Sequence, residues 1–598
     1  MPAVRAAAAA WGTGLAVLSL ALASPAAAAP QFTTELRGVS DKALRGEIQA
    51  TLSTFPTGPD SRLEARRRAE DAAQKVIVVL RSEGYYDYQV TPDIGDGDAP
   101  PPFVTIQVGP RSTIQAPAVA WSGTAPDAQA TEAADKALGL KVGAPGRAED
   151  VIAAEGRVVA ALREAGYADA EAQPREVIVD HADHSLTPTF HIAAGSAVRL
   201  GGVVIKGATR TRAAWVRALA PWKRGQVYRP EPVAELERRL IDTGAFDSVV
   251  VGLAPADQAQ GGLRPVIVDL TDRPRGRLEL GGSYSTTQGA GVDSRWIVYN
   301  RFNRADTLTT SLKVAEIESR LETDLELPDW GEPGQTLKLD VAGYNDDTPA
   351  YVSSGGTLGA ELTRRWGKLS FVSYGVSFDG STTSEKESSN YIQGQRIRVL
   401  YTTELLGAFN LDNSNDPLDP SKGWRVEGQV EPTYAFGDGP IGYLKVEMQA
   451  TAYQPVTDWG TVIAARLKLG TIMGGDIPLV PAQDRFFSGG GGSVRGYGYQ
   501  EVGPRYPDNT PEGGLSLTEG SLELRQSITS QWAVAVFADA GDVGQRVNPD
   551  LSHVEVGVGA GVRYNLGFGP IRVDLATPLD RRPGDGVLQL YISIGQSF

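Results

Sequence analysis

Gly489-Gly490-Gly491-Gly492-Ser493-Val494-Arg495-Gly496-Tyr497 is the stretch on which the reading of this chain turns. Four successive glycines permit backbone torsions and close approaches that a Cβ would forbid. Just beyond them stands Arg495, whose planar, permanently charged guanidinium suits fixed two-pronged pairing with carboxylates. Alone, such a stretch is equally well a flexible surface loop. Its meaning comes from the sequence around it.

On both sides lie blocks in which apolar and polar residues alternate. From about Arg275 onward helical periodicity vanishes, and segments of roughly ten residues change character at every second position. Leu444, Val446 and Met448 share one face, and Lys445, Glu447 and Gln449 the other. Trp532, Val534 and Val536 alternate with Ala533, Ala535 and Phe537, and Leu588, Leu590, Ile592 and Ile594 with Gln589, Tyr591 and Ser593. A soluble sandwich would also alternate. An exported chain rich in Gly and Tyr that ends on an aromatic favours a membrane barrel. About 320 residues at roughly 20 per strand and turn predict ~16 antiparallel strands over 275–598, closed so that every backbone group is paired in lipid.

Export is read from the N-terminus. Arg5 precedes an apolar run from Ala6 to Ala23, and small residues follow through Ala29. This is the layout of a secretory signal peptide over 1–29, with cleavage near Ala28 or Ala29.

Between these regions the chain repeats itself. Glu83-Gly84-Tyr85-Tyr86-Asp87 recurs as Ala165-Gly166-Tyr167-Ala168-Asp169 and as Thr243-Gly244-Ala245-Phe246-Asp247. A helix-like stretch precedes each glycine (Ala65–Ser82, Ala148–Glu164, Pro232–Asp242), and a strand-like run comes after it (Phe103–Val108, Thr189–Ile192, Val266–Leu270). Glycine at that point fits a helix C-terminus that needs a left-handed residue. The repeat predicts three α+β units of order β-α-α-β-β, over 31–113, 114–197 and 198–274. Their exposed sheet edges are candidates for strand addition by a client or partner.

The composition narrows the chemistry. With no cysteine among 598 residues, the chain has no thiol nucleophile, disulfide or thiolate metal site. Of four histidines, His181 and His184 could be read as ligands but stand in a polar stretch that reads as a solvated loop. A net charge of -15 argues against a nucleic-acid surface. Gly491 and Gly496 have phosphate-loop spacing, but Tyr497 replaces the lysine. No G-x-S-x-G or H-E-x-x-H occurs. The expectation is a protein that is not an enzyme and uses no cofactor or metal.

Arg485-Phe486-Phe487-Ser488 leading into Gly489–Tyr497 resembles the signature loop of the BamA/TamA outer-membrane assembly-factor superfamily. Phe537-Ala538-Asp539-Ala540-Gly541-Asp542-Val543 and Gly559-Ala560-Gly561-Val562-Arg563 resemble two further motifs of that family, in family order. The repeats resemble its POTRA (polypeptide-transport-associated) domains, and three of them make the chain most similar to TamA-like members. The resemblance implies a loop folded into the barrel lumen, with Gly489, Gly490, Ser493, Val494, Arg495, Gly496 and Tyr497 as its motif. It also implies that Arg495 meets Asp539 and Glu523 there. Side-chain parity agrees independently: Leu522 and Leu524 on the lipid face put Glu523 inside, and Val534, Val536 and Ala538 do the same for Asp539. A charge facing lipid at mid-membrane would cost ~2–4 kcal/mol. A loop arginine that merely plugs and stiffens the barrel needs the same contacts.

The family further implies a location in the bacterial outer membrane with the POTRA domains in the periplasm. Unfolded outer-membrane or autotransporter clients, outer-membrane lipid and a TamB-like periplasm-spanning protein would be its partners. Its barrel would open laterally between a first strand near Arg277–Thr286 and a last near Leu588–Phe598, with Gly281, Gly282, Gly595 and Phe598 at the seam. The terminal Phe598 also resembles the sorting signal of barrel proteins. The alternatives are a BamA-type core insertase and a two-partner-secretion pore passing an exoprotein through its lumen. Secretion pores of that kind usually carry two POTRA domains and a plug helix, for which the segment before the first repeat leaves no room. A passive porin would lack both the repeats and the arginine loop.

Overall fold

A computed structural model describes residues 32–594 and 596, apart from 287, 288, 368, 390, 391, 458, 550, 552 and 567–569. The expected signal peptide and two expected seam residues, Gly595 and Phe598, lie outside the described residues. The chain divides into two compact bodies, one ending at Val198 and the other beginning at Arg199, with residues 227–230 belonging to the first.

The first body holds two α+β units. In the first, β1 (Glu35–Arg37), α1 (Lys42–Thr51), α2 (Arg62–Ser82), β2 (Gln89–Ile94) and β3 (Pro102–Gln107) succeed one another in the chain, and the sheet runs β1-β3-β2. Asp41 caps α1 by accepting from the backbone N–H groups of Ala43 and Leu44. Leu44, Ile48, Val76, Leu80, Val104 and Ile106 close the core between helices and sheet. Helix α2 ends where the repeated glycine stands. Gly84 takes φ +87°, its N–H donates to the Arg81 carbonyl, and Tyr85 N–H reaches back to Leu80 at 2.8 Å. These are the two bonds of a Schellman stop.

The second unit comprises β4 (Thr113–Ile114), β5 (Ala118–Trp121), α3 (Ala128–Leu138), α4 (Ala148–Glu164), β6 (Glu171–Ala172), β7 (Glu176–Asp180) and β8 (Ser185–Ala193). The same stop recurs at Gly166, where Tyr167 N–H donates to Leu162. Here the expected β-α-α-β-β order is broken into more pieces. Pro117 interrupts the opening strand and Pro174 the one after the helices, because proline cannot donate to a ladder.

The third unit begins the second body: β9 (Arg199–Lys206), α5 (Ala213–Ala218), α6 (Pro230–Asp242), β10 (Phe246–Leu253) and β11 (Leu263–Asp272), with sheet order β10-β11-β9. Thr211 accepts a hydrogen bond from Asn300 (2.8 Å), and Arg212 N–H donates to the Asn303 carbonyl (2.9 Å), which ties this unit to the turn after the second barrel strand.

The remainder of the chain forms a closed barrel of sixteen strands in chain order, from β12 (Gly276–Ser285) to β27 (Gln589–Ile594). Neighbours pair antiparallel throughout. Inward and outward faces alternate as the pleat demands. On β23 (Ser516–Ser527) Leu522 is 57% exposed and Glu523 0%. On β24 (Trp532–Gly544) Val536 is 53% exposed and Asp539 1%. Among the described residues no helix is long and apolar enough to cross a membrane.

Candidate functional site

The segment between β22 (Thr461–Met473) and β23 folds back into the barrel and is largely buried. Its shape follows from glycine at two close approaches. Gly496 takes φ +106°, and a Cβ there would stand 2.8 Å from the Thr577 carbonyl carbon. On β25 (Glu555–Asn565), a Cβ at Gly557 would overlap the Arg495 carbonyl oxygen. Loop backbone and barrel wall therefore touch with no side chain between them.

This seats Arg495 among three carboxylates. Nε donates to Asp539 Oδ2 at 2.6 Å and Nη2 to Oδ1 at 3.0 Å, a two-pronged pair that the Arg495 backbone N–H reinforces at 3.1 Å. Nη1 donates to Glu523 Oε2 at 2.9 Å and to Asp574 Oδ2 at 3.2 Å. The guanidinium carbon lies 3.3 Å from the Phe537 ring centre. Arg525 and Arg563 pair with Glu523 from the walls, and Arg563 and Arg572 with Asp574. Four cations and three anions thus share one buried volume. Each carboxylate is held by more than one hydrogen bond, as a buried charge requires.

The rest of the motif holds the loop in place. Ser493 and Ser488 donate to Glu519 on β23, which Arg466 of β22 also meets at 3.0 Å. Arg466 donates further to the Gly492 and Ser493 carbonyls, and Gly489 N–H donates to Ser493 Oγ. Gly490 takes φ +102° in the turn that Ser493 N–H closes onto its carbonyl. Val494 packs in the loop's own apolar cluster with Tyr497 and Val502. Tyr497 is fully buried and donates to the carbonyls of Asp580 and Val556. Tyr591, on the last strand, accepts from Gly496 N–H at 3.1 Å and donates to the Tyr497 carbonyl at 3.2 Å.

Several members of this site escaped the sequence reading. Asp574 lies on β26 (Pro570–Pro578), where Val573 and Leu575 face outward. Parity would have found it, but prolines at both ends disguise the strand. A second buried cluster sits at the loop's entry. Arg485 pairs with Glu385 at 3.0 Å, and Glu385 also meets Arg398 at 3.1 Å and accepts from Ala482 N–H. Arg485 belongs to the motif as read, whereas its partner is 100 residues away and carries no local signal. His181 and His184 stand in an exposed turn, as the polar stretch around them suggests. Both turn Nδ1 onto the carboxylate of Asp87, linking the first two units.

The seam residues are placed differently. Gly281 and Gly282 pair with Asp293 and Val292 on β13 (Gly289–Tyr299) and have no register partner in β27 among the described residues. Among the described residues the first and last strands share two register pairs, Tyr284 with Ile592 and Ser285 with Tyr591. Strands β26 and β27 share six, and other barrel neighbours from eight to nineteen.

A sixteen-stranded barrel with a charged loop clamped in its lumen, preceded by small α+β units, defines a class of outer-membrane protein. A family model described as the Omp85 superfamily domain matches residues 300–598, and the chain belongs to that superfamily. It is an outer-membrane barrel protein whose N-terminal units are of the periplasmic POTRA type. Among curated relatives it is 24% identical over 429 residues to the outer membrane protein assembly factor BamA of Neorickettsia risticii, covering 69% of this chain and 56% of that one. It is 22% identical to BamA of Neisseria meningitidis serogroup B, covering 88% and 72%. The chain thus spans little more than half the length of the first relative. The crystal structure of BamA from Haemophilus ducreyi lacking POTRA domains 1–3 shares the fold, with a TM-score of 0.67 at 17% identity over 81% of this chain and 99% of that one.

Proposed function

We propose that this protein is a TamA-type translocation and assembly factor that inserts or secretes β-barrel and autotransporter clients through the seam between β12 and β27. The observation that carries the reading is the seam itself. Among the described residues two register pairs join it, where the other strand neighbours share six to nineteen. Among the described residues Gly276–Ser283 of β12 pair with no residue of β27, and along that edge a client strand can add by the same backbone pairing that builds the rest of the wall. The POTRA-type units would hand clients to that edge, and a TamB-like protein would reach them across the periplasm.

The chain has no native cysteine, so the seam can be locked cleanly. Tyr284→Cys with Ile592→Cys joins residues that face each other in the register. Oxidation is expected to abolish client insertion, and reduction to restore it. A control bridge of Leu524→Cys with Val536→Cys, in the wall between β23 and β24, should leave insertion intact. Full insertion with the seam quantitatively locked would reject lateral opening in favour of passage through the lumen, the route of a secretion pore.

A further inference from the structure

Away from the seam, the ladder of the barrel wall is interrupted within one interface. Strand β19 (Ile392–Asp412) pairs with β20 (Gly423–Gly437) at Glu404 with Thr433 and again at Gly407 with Val430, but Leu405 and Leu406 have no ladder partners opposite Glu431 and Pro432. The cause is in the sequence. Pro432 stands deep inside a wall strand, has no N–H to donate, and cannot take part in the ladder. Across the next interface it faces Leu444 of β21 (Ile441–Thr457), beside Gly442. The outer surface is correspondingly thin there. A groove of about 620 Å³ opens to the lipid side between Leu405, Tyr434, Leu444 and Met473, floored by Pro432 and Gly442.

The position of this break matters more than its size. From the seam, β12 to β19 are eight strands and β20 to β27 are eight. The break thus lies midway round the ring, opposite the seam. We propose that the β19–β20 wall is a hinge, and that the seam parts because two eight-stranded halves turn about it, which presupposes that the barrel works by lateral opening. The lumenal loop is arranged to survive the motion. Its entry arm is bound to the first half through Glu385 on β18 (Ser370–Ser389) and Arg398 on β19, next to the hinge line. Its tip is bound to the second half through Glu523, Asp539 and Asp574. A strut that crosses close to the axis of rotation is displaced least, so the halves can turn while the loop stays seated.

The test repairs the ladder. Spin labels at Val292 and Val573, outward-facing residues on the strands that flank the seam strands, report opening in the full chain reconstituted in outer-membrane lipid vesicles. The parent is expected to show a longer-distance population beside the closed one. Pro432→Val should reduce that population about fivefold, the shift that one restored backbone hydrogen bond supports, and slow client insertion in step. Pro455→Val, at the end of β21 where the register already slips, should change neither. Should Pro432→Val prevent folding, Thr403→Cys with Tyr434→Cys staples the flank of the break and should close the seam reversibly with oxidation. A parent without the longer-distance population, or one unchanged by both repairs, overturns the hinge. Repairs that close the seam while insertion stays normal uphold the hinge and sink lateral opening instead.

Discussion

Shortening Arg495 removes geometry as well as charge. Its side chain makes a two-pronged pair with Asp539 while a third nitrogen serves Glu523 and Asp574, an arrangement that a lysine ammonium has neither the plane nor the spread to reproduce. Removing it leaves three buried carboxylates partly uncompensated, a local penalty of about 3–5 kcal/mol. Arg495→Lys is therefore expected to behave nearly as Arg495→Ala. Both should make the loop sensitive to added protease on intact cells, and both should impair growth under envelope stress. Full loop protection with lysine would mean that charge alone holds the loop. Parity along single strands places Glu523 and Asp539 inside, because lipid and lumen impose opposite preferences on alternate residues. Glu385 and Arg398 gave no such lead. Their loop partners, Arg485 for Glu385 and the Leu479 carbonyl for Arg398, lie far off in sequence, and nothing local marks an inward charge that pairs with a loop from one that merely faces water.

Elements, rather than their ends, were the readable unit of this chain. The repeated glycine marks the stops of α2 and α4 because only a residue at ease with positive φ can close that Schellman turn. Helix starts were less visible: α2 begins at Arg62, ahead of its first buried apolar residues, because Ser61 supplies the cap. The turn between β7 and β8 shows what element-level reading leaves out. Its His181 and His184 reach from the second unit to Asp87, just past the end of α2. Chiefly the hydrogen bond from His181, and then that from His184, hold the Asp87 carboxyl below the usual carboxylate range, against the opposing effect of desolvation. A depressed carboxylate stabilises the folded form above its unfolded pKa of about 4 and loses that contribution as pH falls through the folded value. Labels at Val78 on α2 and Ile152 on α4 should accordingly give a narrow distance distribution at pH 7 that broadens below about pH 4. Asp87→Asn should be broad at both. A parent that never broadens as the pH is lowered below about 4, up to the point where the units themselves unfold, or a variant indistinguishable from it, would show that the pairing does not order this junction.

At the scale of the whole molecule, each α+β unit carries its own core, and the third bonds to the barrel from a loop, through Arg210, Thr211 and Arg212. Residues 31–274 expressed alone are expected to give a soluble, monomeric, mixed α/β protein. A disordered or all-β circular dichroism spectrum would overturn that assignment. The number of barrel strands was legible because each crossing needs a similar length of chain. The hinge-like break was not, because one proline means little until the ring shows where it falls. The seam's two sides also differ in how they are kept. Strand β27 is held from within: Tyr591 is bonded to the buried loop at Gly496 and Tyr497, and Gln596 beyond it to the turn at Leu418 and Asp419. Among the described residues strand β12 pairs with β13 along its length and with β27 at two rungs at its far end, just before Thr286 bonds to Gln589 and Leu590. Pulled apart, the two sides would not share the strain. On the proposed opening the last strand would stay moored to the interior, and the first would swing as the loose end of a zip.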